Sequence, residues 1–185
     1  TISCVLLVDA LGKENVFGVS MPSRITSQAS KNDAKILAEN LGINFIEIPL
    51  AESIDATKNM LNYAFDNINT DKYKKSTTIE NLQARTRGML VMAMSNKYGY
   101  IALNTSNKSE ASVGYGTLYG DLCGSLGSLG DVYKTEVYEL ANYINREREI
   151  IPENTITKAP SAELKKKKKD QDSLPEYKQL DAILK

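Results

Sequence analysis

Between residues 105 and 134 the chain gathers side chains of the kind a phosphate-bearing ligand needs. Thr105 and Ser106 offer hydroxyl donors, Lys108 an ammonium and Glu110 a carboxylate with room to reach a hard cation. Mg²⁺ prefers oxygen ligands and shares them with substrate phosphates, so Glu110 is the metal candidate of this stretch. Asp121 is a second acceptor, suited to sugar hydroxyls or an amine. Lys134 opens an expected helix, where its side chain and the backbone N–H groups can face one anion together. Between them run Gly114, Gly116, Gly120, Gly124, Gly127 and Gly130, which let the backbone approach a ligand closely. Ser and Thr beside glycine also build turns, so residue types alone leave both a nucleotide phosphate site and a structural loop open.

Composition narrows the chemistry. The 185 residues contain no histidine, which excludes a Ser-His-Asp or Cys-His set within the chain and argues against a transition-metal site. Lys plus Arg and Asp plus Glu both number 23, so no net field points to nucleic acid. Cys4 and Cys123 are far apart and lack metal-type spacing, and a reducing, cytoplasmic setting is expected. No apolar run approaches the roughly 18 residues of a membrane span. Hydrophobic residues at 42% suit one domain with a real core.

The elements that must position these residues alternate. An apolar run from Thr1 to Gly12 reads as a helix, and Val16 to Met21 as a strand ended by Pro22. Ser30 or Asn32 is expected to cap a helix over 33–41 that stops at Gly42. A strand over 44–50 and a helix over 51–68 follow, then a polar break at 69–75. Thr77 or Thr78 starts a long helix to about residue 97, with Thr77 and Glu80 spaced as a capping box. Asn81 and Arg85 share one face of it, and Arg87 is expected at the surface or ion-paired. Tyr100 to Asn104 reads as a strand, 134–145 as a helix and 175–184 as a last helix. The lysine run Lys165–Lys169 fits a solvated segment or a loop closing over an anion. The fold class expected is α/β, a Rossmann-like parallel sheet with helices on both faces.

Several runs carry a resemblance. Asn104-Thr105-Ser106-Asn107-Lys108-Ser109-Glu110 with Val113-Gly114-Tyr115-Gly116-Thr117-Leu118-Tyr119-Gly120-Asp121 resembles the synthetase domain of NAD synthetases. So do Gly130-Asp131-Val132-Tyr133-Lys134-Thr135, Met21-Pro22-Ser23, Glu80-Asn81-Leu82-Gln83-Ala84-Arg85 and Pro160-Ser161-Ala162-Glu163-Leu164. Ile151-Pro152-Glu153-Asn154-Thr155 and Lys169-Asp170-Gln171-Asp172-Ser173-Leu174-Pro175 complete the set. The likeness spans nearly the whole chain and is closer to the glutamine-dependent branch.

The resemblance implies an adenine nucleotide alpha hydrolase-like fold and an ATP-dependent ligase. Nicotinic acid adenine dinucleotide (deamido-NAD) would attack the α-phosphate of ATP, and ammonia, from glutamine or free, would displace AMP to give NAD. Thr105, Lys134, Ser161 and Met21 would contact ATP; Asn81, Arg85, Glu110 and Asp121 the dinucleotide; and Glu110 Mg²⁺. A homodimer and a mobile active-site loop over 155–175 are implied as well. Leu118, Ser125 and the lysine run depart from the family pattern. The family's Ser-Gly-Gly-x-Asp-Ser signature and a glutaminase domain are not within residues 1–185, so this stretch alone is expected to be inactive. A GMP synthetase-like ATP pyrophosphatase and a non-catalytic nucleotide-binding module are the competing readings.

Overall fold

The computed structural model describes residues 1–68, 76–161, 163–165 and 169–185. Helix α1 (Ile2–Leu11) leads into strand β1 (Phe17–Ser20). Helix α2 (Gln28–Leu41), strand β2 (Asn44–Glu47) and helix α3 (Ala51–Asn67) follow, then the long helix α4 (Thr78–Tyr98). Strand β3 (Leu103–Asn107) runs directly into the short helix α5 (Lys108–Ser112), and strand β4 (Leu126–Leu129) precedes helix α6 (Lys134–Ile144). Helices α7 (Glu153–Thr157) and α8 (Tyr177–Leu184) close the chain.

The strands form two parallel pairs. Phe17 pairs with Asn44 and Ser20 with Glu47; Leu103 pairs with Leu126 and, past an irregularity, Asn107 with Leu129. The parallel α/β reading holds, with two corrections. The third strand lies at 103–107 rather than 100–104, and Ile101 is exposed. Its partner β4 falls inside what reads as an unbroken glycine loop. Alternation misleads there because the strand carries Asn104, Thr105 and Ser106. Asn104 turns its own side chain onto the backbone, donating to Leu122 O at 3.1 Å and accepting from Ser106 N at 2.7 Å.

Local capping explains other differences. Helix α2 begins five residues before the expected start because Ser27 accepts from Ser30 N, so neither Ser30 nor Asn32 is the cap. Helix α4 starts after Thr77 without the expected capping box; the Thr77 hydroxyl accepts from Asn81 Nδ2 at 3.2 Å. The box forms instead at α5, between Asn107 and Glu110. The polar break at 69–75 lies outside the described residues.

The core joins Ile2 of α1, Leu37 of α2, Leu129 of β4, Ala141 of α6 and Ile151, with Val137, Leu140 and Ile144 packed against it. Helices α2 and α6 bury apolar stripes against this core, whereas Met60 of α3 and Met89 of α4 are exposed. Among the described residues no helix is long and apolar enough to cross a membrane, and both cysteines are free.

Helix α4 also serves as a floor for the loop that follows β3. A Cβ on Gly88 would lie 2.5 Å from Tyr119 O, and one on Gly120 would lie 2.8 Å from the Ala84 Cβ. Two glycines therefore let loop backbone rest on helix backbone. Gly88→Ala gains about 1 kcal/mol of helix propensity. The clash with a backbone carbonyl opposes it by about 1–3 kcal/mol, and the loop has to lift. Net destabilisation in urea unfolding is expected; a stabilised variant would mean the loop does not sit on α4.

Candidate active site

A cavity of about 750 Å³ opens between the N-terminal ends of α2, α4 and α6, the glycine loop and the segment after α7. It collects five of the sequence candidates: Asn81, Glu110, Asp121, Lys134 and Ser161. Thr105, Met21 and Arg85 are not among its lining residues. Thr105 is exposed on β3, and Met21 follows β1 with its carbonyl accepting from Arg87 Nε at 3.0 Å. Arg87 is thus partly buried against the backbone and, among the described residues, makes no ion pair, and burial pushes its guanidinium below its ordinary value.

Glu110 and Lys134 meet directly. Lys134 Nζ donates to Glu110 Oε1 at 3.0 Å, each side chain being 18% exposed. Glu110 Oε2 accepts from Asn107 N at 3.3 Å, so helix α5 fixes the carboxylate by its own capping box. Lys134 Nζ also stands 5.3 Å from the centre of the Tyr177 ring. The backbone half of the expected anion site is otherwise engaged. Lys134 N donates to Ser109 Oγ at 2.8 Å and Thr135 N to Asp181 Oδ2 at 2.9 Å. The start of α6 therefore offers a cavity ligand its lysine side chain and not these two amides, which corrects the expectation that both would face one anion.

Asn81 and Arg85 share a face of α4 as expected, and both hold the glycine loop. Asn81 Oδ1 accepts from the Thr117 hydroxyl at 2.9 Å, and Arg85 Nε donates to Leu118 O at 3.2 Å. Asp121 braces the same loop by accepting from Thr117 N at 2.6 Å.

Two polar clusters at the cavity have no counterpart in the candidate set. In the first, Ser27 and Ser30 Oγ lie 3.1 and 2.7 Å from Glu163 Oε1, and Lys158 pairs with the same carboxylate. Burial opposes the Glu163 charge, yet Lys158, Ser30 and Ser27 together hold its carboxyl below the usual range. Ser161 Oγ accepts from Glu163 N at 3.1 Å, so this clasp sets the hydroxyl's position against α2. In the second, buried Asp170 accepts from Tyr115 at 3.2 Å and from Tyr177 at 2.9 Å, while its N–H donates to Pro160 O at 3.0 Å. Burial, then the Asp170 charge, pushes the Tyr115 phenol up to about 12 and raises Tyr177 as well. The sequence places Glu163 and Asp170 inside distinctive runs, but partners as far as 136 residues away leave no periodic signal. Of the lysine run, Lys166, Lys167 and Lys168 lie outside the described residues, and Lys169 lines the cavity.

The whole chain, residues 1–185, matches the family described as NAD synthase. It is 47% identical to the glutamine-dependent NAD(+) synthetase of Thermotoga maritima, covering 100% of this chain and 31% of that protein. It is 49% identical to that of Aquifex aeolicus, over 99% of this chain and again 31% of the relative. The chain thus spans about a third of the length of these curated relatives. Among solved structures, the glutamine-dependent NAD+ synthetase of Acinetobacter baumannii in complex with ADP superposes with a TM-score of 0.79 at 43% identity, covering 99% of this chain and 32% of that one. NMN synthetase of Francisella tularensis superposes with a TM-score of 0.84 at 27% identity, covering 99% and 71%.

The tyrosine cluster makes a pH prediction. A free phenol ionises near pH ~10, whereas folded Tyr115 keeps its proton to about 12. The unfolded chain therefore releases this proton first, and stability falls as pH rises from about 10 towards 12. In an ultraviolet phenolate titration of the ten tyrosines, a late component is expected. Asp170→Asn should move that component down without bringing it to 10, because burial remains the larger cause. A single transition near 10 for all tyrosines would contradict the cluster.

Proposed function

The chain belongs to the NAD synthase family, and on that premise we propose that the protein bearing it converts deamido-NAD to NAD at the expense of ATP. The observation that carries this reading is the cavity in which Asn81, Glu110, Asp121, Lys134 and Ser161 converge on a chain matched to that family throughout. The ADP complex of the Acinetobacter baumannii relative supports an adenine nucleotide as one ligand. The carboxylate of the dinucleotide attacks the α-phosphorus of ATP, pyrophosphate leaves, and ammonia displaces AMP from the acyl adenylate to form the amide. Both carbonyl and phosphorus are attacked by substrates, so the protein's task is to place and neutralise charge. A chain without histidine is suited to that.

Lys134 holds the phosphates. An ammonium has three N–H donors, and the bond to Glu110 leaves others for the ligand. Ser161, set by the Glu163 clasp, supplies a hydroxyl to the same region. Asn81 and Asp121 face the dinucleotide from α4 and the glycine loop. Thr105 and Arg85, outside the lining, and Met21 at the end of β1 take part as ligand contacts at its margin. Residues 1–185 act as one domain in this scheme; of the loop expected over 155–175, the segment from Lys158 to Ser161 and Asp170 line the cavity, and residues 162 and 166–168 lie outside the described residues.

Among the described residues no cluster of three or more His, Cys, Asp or Glu side chains is arranged to hold a metal by itself. Mg²⁺ needs less, since one or two carboxylates and substrate phosphate oxygens suffice. A carboxylate has about four lone-pair sites, more than the bonds from Lys134, Ser106 and Asn107 to Glu110 consume. Glu110 fits the role. Bound there with ATP, Mg²⁺ would supply electrostatic neutralisation of the phosphate charge. Ammonia comes from glutamine, as the names of the relatives suggest. Exposed Met60, Tyr63 and Phe65 of α3 and Met89 of α4 support a homodimer interface on helices that pack together, and the cytoplasm is the setting of the reaction.

The Francisella tularensis neighbour favours a second reading, in which the acceptor is a mononucleotide. The full-length protein supplied with MgATP and ammonium should give NAD, AMP and pyrophosphate in equal amounts from deamido-NAD, measured by chromatography. Nicotinic acid mononucleotide should be a poorer acceptor; a preference for it would transfer the assignment to the second reading. Lys134→Met should lower kcat/KM by about 100-fold, the usual order for one lost electrostatic contact. Release of ADP and phosphate in place of AMP and pyrophosphate would exclude adenylation.

A further inference from the structure

Asp181 is a carboxylate 2% exposed on α8, and it is not among the residues that line the cavity. Its Oδ2 accepts from Thr135 N at 2.9 Å, and its Oδ1 accepts the hydroxyl proton of Ser109, a side chain with no exposure at all. Ser109 Oγ in turn accepts from Lys134 N at 2.8 Å. The first amides of a helix have no partner within it and are commonly met by a nearby side chain or by a ligand. Here a carboxylate nearly fifty residues downstream meets one directly and another through a single hydroxyl. Burial works against the charge, but the Ser109 and Thr135 bonds outweigh it and hold the Asp181 carboxyl below the usual range.

The placement matters because the bridge touches both ends of the ion pair. Ser109 precedes Glu110 on α5, and Lys134 opens α6, so one buried carboxylate clamps the two backbones whose side chains meet at 3.0 Å. One turn earlier on α8, Tyr177 places its ring 5.3 Å from Lys134 Nζ. We infer that Asp181 is a positioning residue: through Ser109 and the first turn of α6 it aims Lys134 at the ligand phosphates. This rests on the reading of Lys134 as the phosphate-holding residue given above.

The test is a double-mutant cycle on ATP affinity, measured by calorimetry on the full-length protein. Asp181→Asn keeps the shape but leaves one acceptor oxygen for two donors, so either the Ser109 hydroxyl or the Thr135 N–H then faces an NH2 group. ATP should bind about 10-fold more weakly, as when the support of a ligand-holding residue is removed. In a Lys134→Met background the same change should add less than about 2-fold, because its route to the ligand is gone. Should Asp181→Asn fail to fold, Ser109→Ala closes the same cycle, since it removes the bridge and leaves the Asp181 bond to Thr135. Equal losses in both backgrounds would make Asp181 merely structural and overturn the inference, while leaving the functional reading intact. An unmutated protein that binds no ATP, or a Lys134→Met variant that binds it normally, would overturn both.

Discussion

A carboxylate leaves water only where hydrogen bonds replace its hydration, because an unpaired buried charge is far costlier than any single contact returns. Two such carboxylates, Asp170 and Asp181, are 4% and 2% exposed, and both belong to the last part of the chain. Each is satisfied at least in part by groups from earlier in the chain: Tyr115, beside the nearby Tyr177, for Asp170, and Ser109 with the Thr135 amide for Asp181. The cavity depends on this constraint. Its wall is closed by a segment that can dock only in the register where both charges find their donors. An apolar stripe would tolerate a slide of part of a turn; two buried carboxylates do not.

The same reasoning explains what was legible in the sequence. Helices α2 and α6 could be read from apolar spacing, because each buries a stripe, whereas the buried face of α4 is Gln83, Ala84, Thr86 and Gly88. Gly42 does end α2 in a left-handed conformation, and Gly99, not read as a stop, ends α4 in the same way. Strand β4 could not be read, since Leu126-Gly127-Ser128-Leu129 looks like more of the glycine loop and is made a strand only by pairing with β3. The candidate residues were found mainly through motif resemblance, and the cavity gathers most of them. What holds them was not legible. Glu163, Asp170 and Asp181 each depend on at least one partner tens of residues away, and nothing local marks a carboxylate as buried.

Glycine contributes differently from what its abundance suggests. Freedom at positive φ accounts for Gly114 and Gly124, yet the residues that seat the loop, Gly88 and Gly120, are there for their missing side chains. Between them α4 and the loop come into backbone contact, and Asn81 and Arg85 then tie down Thr117 and Leu118. A polar pair on a helix face could have been a solvated surface. It is instead a latch, which makes a ligand-facing role for Asn81 compatible with a structural one.

The Lys134–Glu110 pair has to meet two opposed demands. A lone ammonium in a wall only 18% exposed would lose hydration that nothing replaces. A lysine fully committed to a carboxylate would have nothing left for a phosphate. The geometry avoids both extremes. Glu110 is anchored first by the Asn107 capping box, so the lysine reaches a fixed acceptor with one of its donors while the Tyr177 ring supports its flank. The carboxylate replaces hydration the ammonium has lost, and a ligand rich in phosphate charge then competes for the remaining donors on a side chain whose rotamer is already chosen. Entropy that a free lysine would lose on binding is lost on folding instead, and the buried carboxylates of the C-terminal segment help fix that choice.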